Sequence, residues 1–161
     1  MEERFILLDI DGVMVTAASW RPVALEQGLF YPFSPAAQQT LDWLLAQSGA
    51  HIILTSTHRT RFSNEGWRQV FSERCPHLQR IQVMDDFKLQ SRQHNRLAEV
   101  TEWARRFGAD ARYVIIDDDS ALESLPPDVR SHWVRTTSHI GLDEEAAMEA
   151  LAILQGILPQ S

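Results

Sequence analysis

R-F-I-L-L-D-I-D-G-V, residues 4–13, is a short and nearly continuous apolar run that stops on two aspartates and a glycine. An unbroken run of this kind is expected of a strand covered on both faces, as in a parallel sheet; a strand with one wet face alternates instead. Asp9 and Asp11 alternate at its end, which brings both carboxylates to one rim of the sheet, and Gly12 permits a sharp turn there. Two close carboxylates repel unless a cation neutralises them.

The same grammar repeats along the chain. Residues 34–48 read as a helix: Ser34 is the N-cap, Pro35 stands at the first helical position, and Leu41, Trp43, Leu44 and Leu45 supply apolar positions. Gly49 follows, where a left-handed residue ends a helix. A second buried strand spans 50–55, a helix weakened by Gly66 but carrying Trp67, Val70 and Phe71 spans about 64–73, and I-Q-V-M at 81–84 is a third strand. Residues 90–107 carry Leu97, Val100, Trp103, Ala104 and Phe107 at helical spacing, closed by Gly108. A fourth strand is expected at 112–116, a loop at Pro126 and Pro127, and a fifth strand at 132–136. The last helix starts near Asp143, with Glu144 and Glu145 favoured in its first turn by the helix dipole. Strands separated by helices predict a three-layer α/β/α, Rossmann-like, mostly parallel five-stranded sheet. Ligands of such sheets bind beyond the carboxyl ends of the strands, near the point where strand order reverses.

Composition narrows the class. The chain has 161 residues, 44% hydrophobic and 23% charged, the range of an ordinary globular domain. No stretch approaches the roughly 18 apolar residues of a membrane span. The start, M-E-E-R-F, lacks a basic end followed by an apolar run, and Cys75 is the one cysteine, so a reducing cytoplasm is the expected setting. Net charge is −7 overall, but −4 over residues 1–57, +4 over 58–112 and −7 over 113–161. The balance argues weakly against a general nucleic-acid coat protein. Among 15 basic residues Lys88 is the one lysine.

The strand ends hold the chemistry. The first ends in Asp9, Asp11 and Gly12; the second in Thr55 and Ser56, hydroxyls able to donate to an anion; the fourth in Asp117, Asp118 and Asp119. Lys88 precedes the helix that leads into the fourth strand. Each feature has a common bland reading: a solvated acidic pair, a helix cap, an acidic loop, a surface lysine. Their joint order along the chain is far rarer than any one of them.

In that order the sequence resembles the haloacid dehalogenase-like (HAD) hydrolase superfamily. L-L-D-I-D-G-V at 7–13 is similar to its first motif, I-I-L-T-S-T at 52–57 to its second, Lys88 to the third-motif lysine, and I-I-D-D-D at 115–119 to its acid pair. The likeness runs from residue 5 to about 140. I-L-T-S-T-H-R and Y-V-I-I-D-D-D, with a late I-G-L-D, are similar to the small HAD domains of RNA-repair "Swiss army knife" proteins. In those a Trp usually precedes the Arg after the second motif; here His58 precedes Arg59.

The resemblance implies a phosphatase of phosphomonoesters. Asp9 would be the nucleophile that forms an aspartyl-phosphate, and Asp11 the general acid and then base. Mg²⁺ would be held by Asp9 and Asp117 through carboxylates and by Asp11 through its backbone carbonyl; Asp118 would orient a metal-bound water, and a one-residue shift would exchange it with Asp117. Thr55 and Lys88 would hold the phosphoryl oxygens. Asp119 and Asp86 are further acids expected to ring the same metal-binding mouth. Gly12, Ser56 and Arg59 are candidate substrate contacts, with Arg59 and Arg61 as a clamp for a second phosphate. A phosphate-receiver domain shares the residue types but has its acid pair first and its lysine late. A HAD fold kept only for binding or regulation is the alternative of a different class.

Only 43 residues separate Asp11 from Thr55 and 32 separate Thr55 from Lys88, so no large cap domain fits and residues 1–161 read as one domain. Residues 12–33, with Trp20, Arg21, Phe30, Tyr31 and Phe33, are a possible flap beside the site, either stacking a base or packing on the domain. The expected partner is a phosphorylated substrate, a small molecule or a nucleic-acid end, with no membrane; nothing in the sequence sets an oligomeric state. The histidines show no metal-ligand spacing.

Overall fold

The computed structural model describes residues 3–16, 30–87 and 95–157. Lys88, Trp20, Arg21 and the first residues expected of the 90–107 helix lie outside them.

Five parallel strands form one sheet: β1 (Glu3–Leu8), β2 (His51–Leu54), β3 (Ile81–Val83), β4 (Ala111–Asp117) and β5 (Trp133–Arg135), in the order β3-β2-β1-β4-β5. The expected α/β sheet is therefore present, and wholly parallel. Ladder bonds continue just past the strand ends: Asp9 N–H donates to Ile116 O at 3.1 Å, and Thr55 N–H to Leu8 O at 3.0 Å. Those bonds fix the backbone of Asp9 and Thr55 side by side at one rim.

Helices α1 (Pro35–Ser48), α2 (Asn64–Arg74) and α5 (Glu144–Leu154) cover one face, and α3 (Arg96–Phe107) with the one-turn α4 (Pro127–Arg130) covers the other. Alternation along β1 feeds both layers. Ile6 and Leu8 join the core under α1, α2 and α5, where Trp67 and Phe71 are fully buried, whereas Leu7 joins Ile53, Ile115 and Trp103 under α3. Local signals set the helix ends as expected. Ser34 Oγ accepts from Ala37 N–H at 3.4 Å, Pro35 opens α1, and Gly49 at φ 65° sends its N–H to Leu45 O at 2.9 Å. Such a cap contributes about 1 kcal/mol. Asp143 likewise caps α5 through Ala146 N–H.

One expectation changes. The loop at Pro126 and Pro127 contains α4, because Pro127 stands at a first helical position, where its missing N–H is no loss. The segment expected as a possible flap at 12–33 places Val13, Met14, Val15, Phe30 and Phe33 in the main core, as its packing alternative has it for those residues. Residues 17–29 lie outside the described ones.

Strand order reverses between β1 and β4. From β1 the chain moves out through β2 to β3, then crosses back to β4 on the other side of β1. The crevice at the carboxyl ends of β1 and β4 is where this architecture binds ligands.

Candidate active site

Asp9, Asp117 and Asp118 converge at that crevice, each offering a carboxylate oxygen within 4.8 Å of the others. β1 delivers Asp9 and β4 delivers Asp117, its last residue, which is wholly buried. Asp118 follows on the turn. Asp117 is held from several sides: Oδ1 accepts Asp119 N–H at 3.0 Å, and its backbone carbonyl accepts from Thr136 N–H at 3.2 Å and Trp133 Nε1–H at 3.1 Å. Asp119 turns away to cap the next turn, accepting Ala121 N–H at 2.9 Å, and Asp86 is exposed and outside the cluster.

Arg96 enters this cluster, a residue the sequence reading did not single out. It is the first residue of α3, its side chain is 9% exposed, and Nη1 bonds to Asp117 Oδ2 and stands 3.3 Å from Asp9 Oδ1. Burial opposes the charge on Arg96, but Asp117 and then Asp9 overcome it and hold the guanidinium above its ordinary range. Burial and then Asp117 push Asp9 from 3.8 up to about 8, against the lowering pull of Arg96. Asp118 is raised by the same two causes. Fully ionised, three clustered carboxylates against one guanidinium would carry two excess negative charges, and the raised Asp9 and Asp118 record the cost of holding them together. That deficit matches a divalent cation bound by hard oxygen ligands, and bare repulsion of this size is costly in low dielectric.

Thr55 brings a hydroxyl to the same rim. It is 1% exposed, and its Oγ1 has no hydrogen-bond partner among the described residues. A buried hydroxyl left unpaired costs about 1–3 kcal/mol, and this one is available to an acceptor at the rim. Ser56 Oγ, one residue on, accepts His58 N–H at 3.1 Å and so caps the turn that follows β2.

The guanidinium of Arg59, a candidate substrate contact, donates to Thr55 O at 3.0 Å and Ser56 O at 3.3 Å and pairs with Glu99 of α3. This braces the Thr55 loop against α3. Gly12 is required by the turn. Its φ is +79°, and a Cβ there would fall 2.0 Å from Asp118 Oδ2. Asp11 sits on the same turn with its side chain 60% exposed, its Oδ2 2.9 Å from His58 Nε2. Lys88 lies outside the described residues.

The class defined by this sheet order, with an acidic cluster at the β1/β4 crevice, is the HAD-like fold of phosphatase-type hydrolases, whose members usually use Mg²⁺. Residues 5–147 match the family described as the HAD domain in Swiss Army Knife RNA repair proteins, and the chain belongs to that family. No significant match was found to a curated protein or to a solved structure. Among the described residues no helix is long and apolar enough to cross a membrane.

Proposed function

We propose that the protein is a Mg²⁺-dependent phosphomonoesterase working through an aspartyl-phosphate on Asp9, with phosphorylated nucleotides or nucleic-acid ends as the leading substrate class. The observation that carries this reading is the pairing of the Asp9–Asp117–Asp118 cluster with the unpartnered, buried Thr55 hydroxyl at one rim.

The three carboxylates would hold the cation, with the Asp11 backbone carbonyl as a further ligand. When bound, Mg²⁺ supplies Lewis-acid neutralisation of the phosphate charge. An Asp9 carboxylate oxygen attacks phosphorus while the ester P–O bond breaks, and Asp11 gives its proton to the departing alkoxide. Water then attacks the phosphoryl group, Asp11 takes the proton back, and the Asp9–phosphate bond breaks to release inorganic phosphate. Thr55 Oγ1–H donates to a phosphoryl oxygen throughout. Arg96, already on Asp9 and Asp117, is the described cation nearest this reaction, and Lys88 would join it from the segment preceding α3. The Arg59–Glu99 brace keeps Thr55 aligned. A lone cysteine supports placing this chemistry in a reducing, cytoplasmic setting.

The test is a panel of phosphate esters in Mg²⁺: mononucleotides, sugar phosphates and oligonucleotides phosphorylated at either end. Asp9→Asn is expected to lower turnover to background on every active ester. Because it removes a buried carboxyl held up at about 8, it is expected to leave the metal-free melting temperature in alkaline buffer no lower than wild type. Absence of Mg²⁺-dependent turnover in the wild type across the panel would favour a binding role for the fold instead.

A further inference from the structure

Asp11 stands on an exposed turn, where an aspartate ordinarily samples several rotamers. Here the carboxylate is engaged from a distant segment: His58 lies 47 residues away in sequence, its Nε2 at 2.9 Å from Asp11 Oδ2. The opposite ring nitrogen, Nδ1, faces Arg61 Nε at 3.1 Å. A guanidinium offers donors and no acceptor, so Nδ1 must accept, and the ring proton resides on Nε2, directed at Asp11. The ring itself is enclosed. Phe30 meets it edge-on at 5.4 Å between centroids, Tyr31 stands at 6.0 Å, and Arg61 lies 5.8 Å over the Tyr31 ring. The His58 backbone is tied as well, through its N–H to Ser56 Oγ.

We propose that His58, with its tautomer set by Arg61, is the positioning residue for the proton-transferring carboxylate of Asp11. The proposal rests on the acid–base role given to Asp11 above. A donor on Oδ2 fixes the carboxylate plane and leaves Oδ1 to carry the mobile proton to the leaving oxygen and back from water. Holding a reacting group in one orientation removes part of the entropy otherwise lost at the transition state. The device also couples the site to the chain that follows β1, because Phe30 and Tyr31 wall the ring.

The prediction is read most directly from dependence on the leaving group. kcat/KM covers the steps through phosphoryl transfer to Asp9, and that transfer needs an acid only when the leaving alkoxide is basic. His58→Ala is expected to lower kcat/KM about tenfold on glycerol phosphate but within about twofold on dinitrophenyl phosphate. His58→Gln, which keeps an N–H at the reach of Nε2, is expected to recover most of the loss. Long-range proton–nitrogen NMR spectra of the metal-free protein in mildly alkaline buffer should show the His58 proton on Nε2, and Arg61→Leu should release that preference. Equal losses on the two esters from an active wild type, or a His58 ring protonated at Nδ1, would overturn the proposal alone. A wild type inactive on these two esters and on every ester of the panel above would remove the phosphatase reading, and this proposal with it.

Discussion

Arg96 opens α3, the end of a helix where the backbone dipole disfavours a cation by about 0.3–1 kcal/mol. It is held there by Asp9 and Asp117, which the sheet presents to it as buried carboxylates. A cation placed against its local preference directly after an N-cap, here Asn95, is a sequence signal that was available. It was hidden because Arg96 is one of fourteen arginines, whereas Lys88 is conspicuous as the one lysine. Rarity of a residue type reports composition, and it does not report which side chain a helix end delivers to a crevice. Arg96→Met strips the counter-charge from buried carboxylates and is expected to destabilise the metal-free protein by about 3–5 kcal/mol. Urea unfolding would measure this, and saturating Mg²⁺ should recover part of the loss; an unchanged midpoint would mean that the ion pairs contribute nothing.

Among the elements, the turn after β1 constrains the site most tightly. Gly12 O accepts Thr136 Oγ1–H at 2.9 Å and Val13 O accepts Leu142 N–H at 2.9 Å, so the segment after β5 grips the same turn. Gly12→Ala must place a Cβ in a left-handed conformation and into the Asp118 carboxylate. The conformation alone costs about 1–2 kcal/mol. The expected result is a lower melting temperature together with loss of the Mg²⁺-induced thermal shift; retention of that shift would place Asp118 outside the metal site. Elements with strong local punctuation were legible in the chain: β1 from its apolar run, α1 from Ser34, Pro35 and Gly49, α5 from Asp143 and its acidic first turn. The segment after Gly12 was not. Its core residues Val13, Met14, Val15, Phe30 and Phe33 follow neither a period of two nor one of 3.6, so their burial comes from packing and leaves no periodic trace.

At the scale of the whole molecule, the site joins β1, β4 and α3, so its charge state acts on the stability of the entire fold. The folded chain binds the Asp9 proton more tightly than the unfolded chain, with a value of about 8 against 3.8. A carboxyl raised in this way favours folding fully when protonated, and that advantage is lost as pH climbs through the window between those values. A divalent cation competes with the proton for the same oxygens and binds the folded state preferentially. The rise in melting temperature on adding Mg²⁺ is therefore expected to be larger at about pH 8 than at about pH 5. Thermal unfolding with Mg²⁺ or with chelator checks this, and a shift that is flat with pH would argue that no cation replaces the Asp9 proton.

The sequence by itself determined the parallel sheet, its helical covers and the positions of Asp9, Asp11, Thr55 and the Asp117–Asp118 pair, because hydrophobic periodicity and strand-end placement are local properties of a chain. Tertiary structure alone decided which cation faces Asp9, that Arg59 braces a loop through Glu99, and that His58 reaches Asp11 under the direction of Arg61. Those contacts span 87, 40 and 47 residues, and no local pattern encodes a distance across the fold. They exist because strand order brings β1, β2 and β4 to one rim, within reach of long polar side chains from distant parts of the chain.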